Sequence, residues 1–311
     1  MDEHKPGVFR PPRLIGLIVH GAAIVACAAA SLWGLWRALH THIGPLFLLY
    51  LLPALLLAAL VPNLVYRAYA LWRAVYVVER DGLRLKWGLL AEDIPMDQVL
   101  AVQLAAEADG DLPLPWLRLP GAVLGVRKRS DGRTVEYLAA DLARLVLIAT
   151  PEREFAVSPD DPAGFLAACR EQSELGSLSP LPAISVRASF LLARVWATQS
   201  ARYLLLGGLA LSLLLLIWVS LVVPAREAVP LGFDLEGNPG EPVPSVQLIL
   251  LPILNGFFYL ANFLAGLFFF RRRESALDDG SSAPLAYLLW GSSAFTALLF
   301  LGAVFFLLNA G

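Results

Sequence analysis

The chain has 311 residues, of which 58% are hydrophobic and only 16% are charged, and its mean hydropathy is +0.65. Because soluble domains are about 45–50% apolar and about 25% charged, this composition excludes an ordinary soluble protein. The net charge of -2 excludes binding of nucleic acid through overall positive charge. The two cysteines, Cys27 and Cys169, have the spacing of neither a disulfide framework nor a metal site.

Residues 1–73 are predicted to form an irregular basic tail followed by a membrane hairpin. The apolar run at 14–36 is long enough to cross the roughly 30 Å hydrocarbon core of a bilayer. Its basic front and small residues are also features of a secretory signal peptide. The apolar character continues beyond the length of a signal core, however, and favours a full span. A short link leads to a second apolar run at 43–66, so the two spans are expected to be antiparallel.

Residues 74–175 are the only long segment without a lipid-like composition, and their pattern predicts a small β-domain. Turn sequences between alternating strands predict three hairpins, with turns at 80–82, 130–132 and 150–152. Further strands are expected at 92–95 and 99–105, and a proline-rich loop at 109–120. A helix should follow, with Asp161 as its N-cap and Pro162 at its first position. Roughly seven strands and a terminal helix predict a barrel or sandwich with the helix at one end.

Residues 176–203 are predicted to be a linker and an amphipathic approach helix. The linker is rich in Ser, Pro and Gly, and the helix is expected at 186–203. Arg187, Arg194 and Arg202 are spaced so that they share one helical face, which should lie at the headgroup level of the inner leaflet. Residues 204–311 should form a three-span domain, because they contain apolar runs at 204–223, 246–270 and 285–308.

The distribution of Lys and Arg around the five predicted spans predicts the orientation of the chain. Basic residues are frequent in the N-terminal tail, on both sides of the β-domain and after the fourth span, at 271–273. The opposite loops contain only Arg37 and Arg226. We therefore expect a multi-pass protein of the bacterial cytoplasmic membrane, with its N-terminus and β-domain in the cytoplasm and its C-terminus outside.

The middle segment resembles a bacterial pleckstrin-homology (PH)-like domain over about a third of the chain. The residues that carry the resemblance are Tyr76-Val77-Val78, Asp81-Gly82-Leu83, Trp87-Gly88, Ile94-Pro95, Phe155-Ala156-Val157-Ser158-Pro159 and Phe165-Leu166. The resemblance implies a seven-stranded, strongly bent barrel capped by a C-terminal helix. The expected fold class is therefore an α+β membrane protein, with five transmembrane helices and an inserted PH-like β-barrel domain. The resemblance implies no enzymatic activity.

Two basic turns of the β-domain and the approach helix are candidate contacts for anionic lipid. In eukaryotic PH domains a basic pattern at the first hairpin binds inositol phosphates, and cations at an exposed turn attract anionic headgroups. The simpler interpretation of the first turn is a solvated strand face, because Glu79 and Asp81 are interleaved with its basic residues, and that of the second is a soluble hairpin turn. The eight candidate residues are Arg84, Lys86, Arg127, Lys128, Arg129, Arg187, Arg194 and Arg202.

The sequence predicts a non-enzymatic membrane protein that presents its β-domain to a protein or lipid partner. No catalytic motif, cofactor-binding loop or metal-ligand cluster is recognisable. One alternative is a small transporter or transport-complex subunit, since Asn255, Tyr259 and Asn262 share a face of the fourth span. An integral-membrane enzyme that uses one of the four histidines is a third hypothesis. The sequence does not predict the oligomeric state.

Overall fold

A computed structural model describes residues 7–107, 112–115, 118–175, 184–186, 195–196, 198–232, 240–272 and 282–309. The chain divides into two compact units. The first consists of Met1–Ala30 and Leu56–Ala188, and the second consists of Ser31–Leu55 and Ser189–Gly311.

Five of the helices in the described part of the chain are long and apolar enough to cross a membrane, which confirms the predicted membrane protein. The helices are α1 (Leu14–Leu39), α2 (Pro45–Arg73), α3 (Pro162–Leu175), α4 (Gln199–Val222), α5 (Leu250–Arg272) and α6 (Ser282–Asn309). All except α3 are candidate spans. The helix α4 begins five residues before the predicted start of the third span, so Arg202 belongs to its first turn.

Short strands fill most of the segment between α2 and α3. The strands are β1 (Val8–Phe9), β2 (Val75–Glu79), β3 (Gly82–Trp87), β4 (Leu90–Pro95), β5 (Ala101–Leu104), β6 (Arg118–Leu119), β7 (Ala122–Lys128), β8 (Thr134–Ala139), β9 (Val146–Ala149), β10 (Glu154–Val157), β11 (Ile184–Val186), β12 (Ala228–Pro230) and β13 (Pro242–Pro244). They form sheets in the orders β1-β2-β3-β4-β11, β5-β9-β10-β8-β7-β6 and β12-β13.

The three predicted hairpins are present as the antiparallel pairs β2–β3, β7–β8 and β9–β10. A parallel pairing of β10 with β8, which places Phe155 opposite Glu136, was not predicted. A tight turn does not connect parallel strands, so no turn residues in the sequence predict this pairing. Among the described residues, hydrogen bonds do not close the two larger sheets into a barrel, so the barrel stays a prediction.

Three short strands lie where the sequence predicted irregular structure. The N-terminal tail contributes β1, in which Val8 pairs with Val77 and Phe9 packs against the Phe165 ring with centroids 5.3 Å apart. The predicted 109–120 loop contains β6, and the predicted linker contains β11, which pairs with β4. The approach helix expected from residue 186 is wrong at its start, because Val186 is in a strand. Edge strands this short gain their conformation from the sheet that they join rather than from local propensity.

The core of the first unit lies between the larger sheets and α3. Tyr76, Phe155 and Phe165 are among its buried members. The Tyr76 hydroxyl donates to the Leu138 carbonyl oxygen at 2.6 Å, and burial raises the pKa of this phenol, so it remains a donor. Burial also raises the pKa of the Cys169 thiol to about 12, which is consistent with a structural role.

The predicted start of α3 is confirmed. The Gly164 amide donates to the Asp161 carboxylate at 3.0 Å, which satisfies one of the free amides at the helix start. This cap fixes the point at which the chain leaves β10 and covers the core with the apolar face of α3.

Candidate functional site

The β-domain is fixed to the first membrane helix by contact between two glycines. A Cβ atom on Gly16 of α1 would lie 2.6 Å from the Cα atom of Gly121, in the β6–β7 turn. Gly121 also has a φ of +81°, a left-handed conformation that side chains other than glycine rarely adopt. The backbones therefore approach as closely as they do only because both positions lack a side chain.

A second contact fixes the domain to the end of α2. Gly88, with a φ of +64°, lies in the β3–β4 turn, where a Cβ atom would be 2.7 Å from the Ala70 Cβ atom. The Arg13 guanidinium donates to the carbonyl oxygen of Ala74, which directly precedes β2. The part of α1 up to Ala30, the part of α2 from Leu56 and the β-domain thus belong to one compact unit, and the surface around Gly88 and Gly121 is the helix-facing end of the domain.

The first predicted basic turn is largely neutralised by its own neighbours. The Arg84 guanidinium lies 3.5 Å from the Glu79 carboxylate and 4.0 Å from that of Asp93. Arg80 donates to the Leu175 carbonyl oxygen at the end of α3, at 2.8 Å. Lys86 is exposed and lies only two residues before Gly88, at the helix-facing end. The structure therefore does not bring the hairpin cations together around one anion-sized site.

The second basic turn contains two arginines that pair with Glu154 and two further cations, Arg127 and Lys128. The Arg129 side chain is only 10% exposed and lies 3.4 Å from the Glu154 carboxylate. Arg133 reaches the same carboxylate at 3.3 Å. Among the described residues no ion pair involves Arg127 or Lys128, and both are on the terminal part of β7.

Of the three arginines of the predicted approach helix, the structure describes only Arg202. Arg187 and Arg194 lie outside the described residues. Arg202 is in the first turn of α4, where its guanidinium lies 5.5 Å from the centre of the Tyr203 ring. An arginine beside a tyrosine at a helix end is typical of a membrane–water interface.

A cluster of deeply buried charges in the domain was not predicted from the sequence. The Arg153 guanidinium bridges Glu92 at 3.0 Å and Glu136 at 2.9 Å, and these two glutamates are only 2% and 5% exposed. Glu92 is in β4 and Glu136 is in β8, so Arg153 joins the two larger sheets. Acidic residues inside otherwise apolar strands were the available signal, but the arginine that pairs with them is distant in sequence. We call Arg153, Glu92 and Glu136 the intersheet ion cluster.

The polar face of the fourth span is used for helix packing. The Asn255 amide donates to the Ser212 hydroxyl at 2.8 Å, and the Tyr259 hydroxyl donates to the Leu205 carbonyl oxygen at 3.1 Å. The third member, Asn262, donates to a serine of α6, Ser292, at 3.2 Å. These interhelical bonds explain the shared polar face, and nothing in the described part of the bundle favours a transport path.

Comparison with known families confirms the predicted resemblance. Residues 74–173 match the model of a bacterial PH domain. This match begins directly after α2 and ends inside α3, so it covers the β-domain described above. No curated protein and no solved structure matches the chain.

Proposed function

We propose that this chain is a non-enzymatic integral membrane protein that presents its PH domain in the cytoplasm as a binding module for a protein partner. PH domains are typically non-catalytic binding modules. The distribution of Lys and Arg supports an N-terminus and PH domain in the cytoplasm and a C-terminus outside. Reporter fusions after Gln172 and after Gly311 should therefore report opposite sides, and the same side for both would refute this topology.

The observation that carries the proposal is the outer edge of β7. The strand β6 pairs only with Ala122 and Val123, so no strand of the described chain pairs with the rest of this edge. Pro115 approaches Gly125, which leaves residues 126–128 as the accessible part. We call Val126, Arg127 and Lys128 the open edge. Val126 is 53% exposed.

An open strand edge accepts an extended peptide through main-chain hydrogen bonds. Here the edge carries one exposed apolar side chain, that of Val126, and two cations, Arg127 and Lys128. The best complement is therefore an extended segment with acidic side chains, because opposite charges across an interface speed association and fix its register.

The position of the open edge favours a partner protein, rather than lipid headgroups of the surrounding bilayer, as its ligand. Gly121 contacts the first turn of α1, and Lys128 lies seven residues further along the strand. At about 3.3 Å per residue, the open edge is roughly 20 Å from that contact.

Of the predicted lipid contacts, we assign Lys86 and Arg202 to the bilayer surface, because Lys86 is near Gly88 and Arg202 is at a helix end.

Site-specific photo-crosslinking in the full-length membrane protein tests the proposal. A photoreactive residue at Val126 should give a discrete protein adduct, and Arg127→Glu with Lys128→Glu should remove it. The matched control is position 175, since Leu175 is also 53% exposed but lies at the end of α3. An adduct of equal yield from position 175, or lipid adducts alone from position 126, would refute a protein-binding open edge.

A further inference from the structure

A cavity of about 600 Å³ lies within the first unit, beside the start of α1. Its walls come from the first turn of α1, the β6–β7 turn and the loop after β8. Gly16 and Gly121 both line it, so the glycine contact that fixes the domain also closes one side of this cavity. The volume lies within the range of about 300–1,000 Å³ that is usual for small-molecule sites.

The cavity wall is continuous with a surface that faces lipid. Leu14 and Ile15 line it, and they are 74% and 70% exposed at the start of a candidate membrane span. The helix α1 has 26 residues. At 1.5 Å per residue it is about 39 Å long, more than the roughly 30 Å hydrocarbon core. Its first turn therefore belongs at the boundary between acyl chains and headgroups.

The loop after β8 contributes an apolar side chain where a solvated loop would be polar. Leu142 follows Asp141 and is 36% exposed. It lines the large cavity and also a second cavity of about 350 Å³, whose other lining residues are apolar. An apolar residue in the wall of both spaces is suited to a flexible hydrocarbon chain.

The polar part of the cavity carries charges of both signs. Arg13 contributes a guanidinium, and Asp141 and Asp160 contribute carboxylates. The carboxylates are partly neutralised by Arg144, which lies 2.5 Å from Asp160 and 3.9 Å from Asp141. The Asp160 side chain is 70% exposed and that of Asp141 is 42% exposed, so a polar headgroup could reach both from the membrane surface.

We infer that this cavity binds one phospholipid molecule of the surrounding bilayer that has a zwitterionic, primary-ammonium headgroup. One acyl chain lies in the apolar cavity beside Leu14, Ile15 and Leu142. The phosphate lies on the Arg13 side, and the ammonium group is bound by Asp141 and Asp160. A purely anionic headgroup would bring its charge next to both carboxylates without offering them a cation. The inference is independent of the protein partner at the open edge.

Native mass spectrometry of the full-length protein tests the inference. The protein would be reconstituted in bilayer discs of equal parts phosphatidylethanolamine and phosphatidylglycerol and then released into mild detergent. We expect one retained phosphatidylethanolamine per chain. Leu142→Trp should fill the cavity and reduce retention at least tenfold, whereas the control Leu175→Trp, also an exposed leucine, should not change it. Asp141→Asn with Asp160→Asn should reduce the preference for phosphatidylethanolamine over phosphatidylglycerol to near unity.

Three results would each overturn the inference. They are lipid retention that is unchanged in Leu142→Trp, equal retention of both lipids by the natural sequence, and no retained lipid. A photoreactive residue at position 142 gives a second measurement that does not depend on detergent. In cells it should form a lipid adduct, and a protein adduct in its place would show that a protein segment occupies the cavity.

Discussion

The two units of the molecule use different polar interactions to hold their elements together. In the first unit the buried polar contacts include ion pairs, as in the intersheet ion cluster of Arg153, Glu92 and Glu136, beside neutral bonds such as that from Tyr76 to Leu138. In the described part of the second unit they are neutral, as in the bond from Asn255 to Ser212. An isolated charge is far more costly in hydrocarbon than in a domain surrounded by water, so buried ion pairs suit the PH domain better than the membrane helices.

The largest effect is expected from breaking the intersheet ion cluster. Arg153→Met leaves Glu92 and Glu136 buried without their cation, which should destabilise the domain by about 3–5 kcal/mol. Hydrogen exchange of the β8 and β10 amides in the full-length protein would measure this loss. The control is Arg84→Met, because Arg84 is more exposed and its pairs are longer. It should cost less than about 1 kcal/mol.

A further variant distinguishes loss of the ion pairs from loss of packing. Adding Glu92→Gln and Glu136→Gln to Arg153→Met removes the unpaired charges and should restore part of the stability. If the triple variant is as unstable as Arg153→Met alone, the contribution of Arg153 is its packing over the Phe155 ring, where the guanidinium lies 4.8 Å from the ring centre.

The features that the sequence predicted correctly are those with local causes. The Asp81-Gly82 turn fixes the first hairpin, and Asp161 with Pro162 fixes the start of α3. The five spans follow from the length of the apolar runs. Each of these features depends on residues within one turn or one helix, so no knowledge of the tertiary structure was needed.

The missed features depend on residues that are distant in sequence. Glu92 and Arg153 meet across 61 positions, and β8 pairs with β10 without a connecting hairpin. The candidate cations were recognised by type, but their partners were not. Arg129 was grouped with Lys128, although Glu154 holds Arg129 and Lys128 stays exposed. Charge in a sequence predicts where an anion could bind only when the folded neighbours of that charge are known.

A smaller effect is expected at the contact between the domain and α1. Gly121→Ala places a Cβ atom against Gly16 and also strains a left-handed backbone, so it should cost about 2–4 kcal/mol. Gly132→Ala is a matched control, since Gly132 has a similar φ of +88° but no atom within 4 Å of the added carbon. It should cost only the backbone strain, about 1 kcal/mol.

The difference between these two variants measures the packing of the domain on α1. Protection of the β6–β7 and first-turn α1 amides, measured by hydrogen exchange in bilayer discs, should fall in Gly121→Ala and stay unchanged in Gly132→Ala. Equal loss in both variants would mean that the glycine contact contributes nothing beyond its backbone conformation.

The smallest loss of stability is expected in the membrane bundle, where the interhelical polar contacts described above are neutral hydrogen bonds. Asn255→Leu removes the bond to Ser212, yet the lost stability should be only about 0.6 kcal/mol and at most about 1.7 kcal/mol, because the unfolded chain in the membrane also finds polar partners. Equilibrium unfolding of the full-length protein in mixed micelles of increasing denaturing detergent would measure this loss.

Asn309→Leu is the control, since Asn309 bonds only to the Phe305 carbonyl oxygen of its own helix in the described structure. A loss at Asn255 as large as that of Arg153→Met would show that neutral bonds stabilise the bundle as strongly as buried ion pairs stabilise the PH domain, and would refute the contrast between the two units.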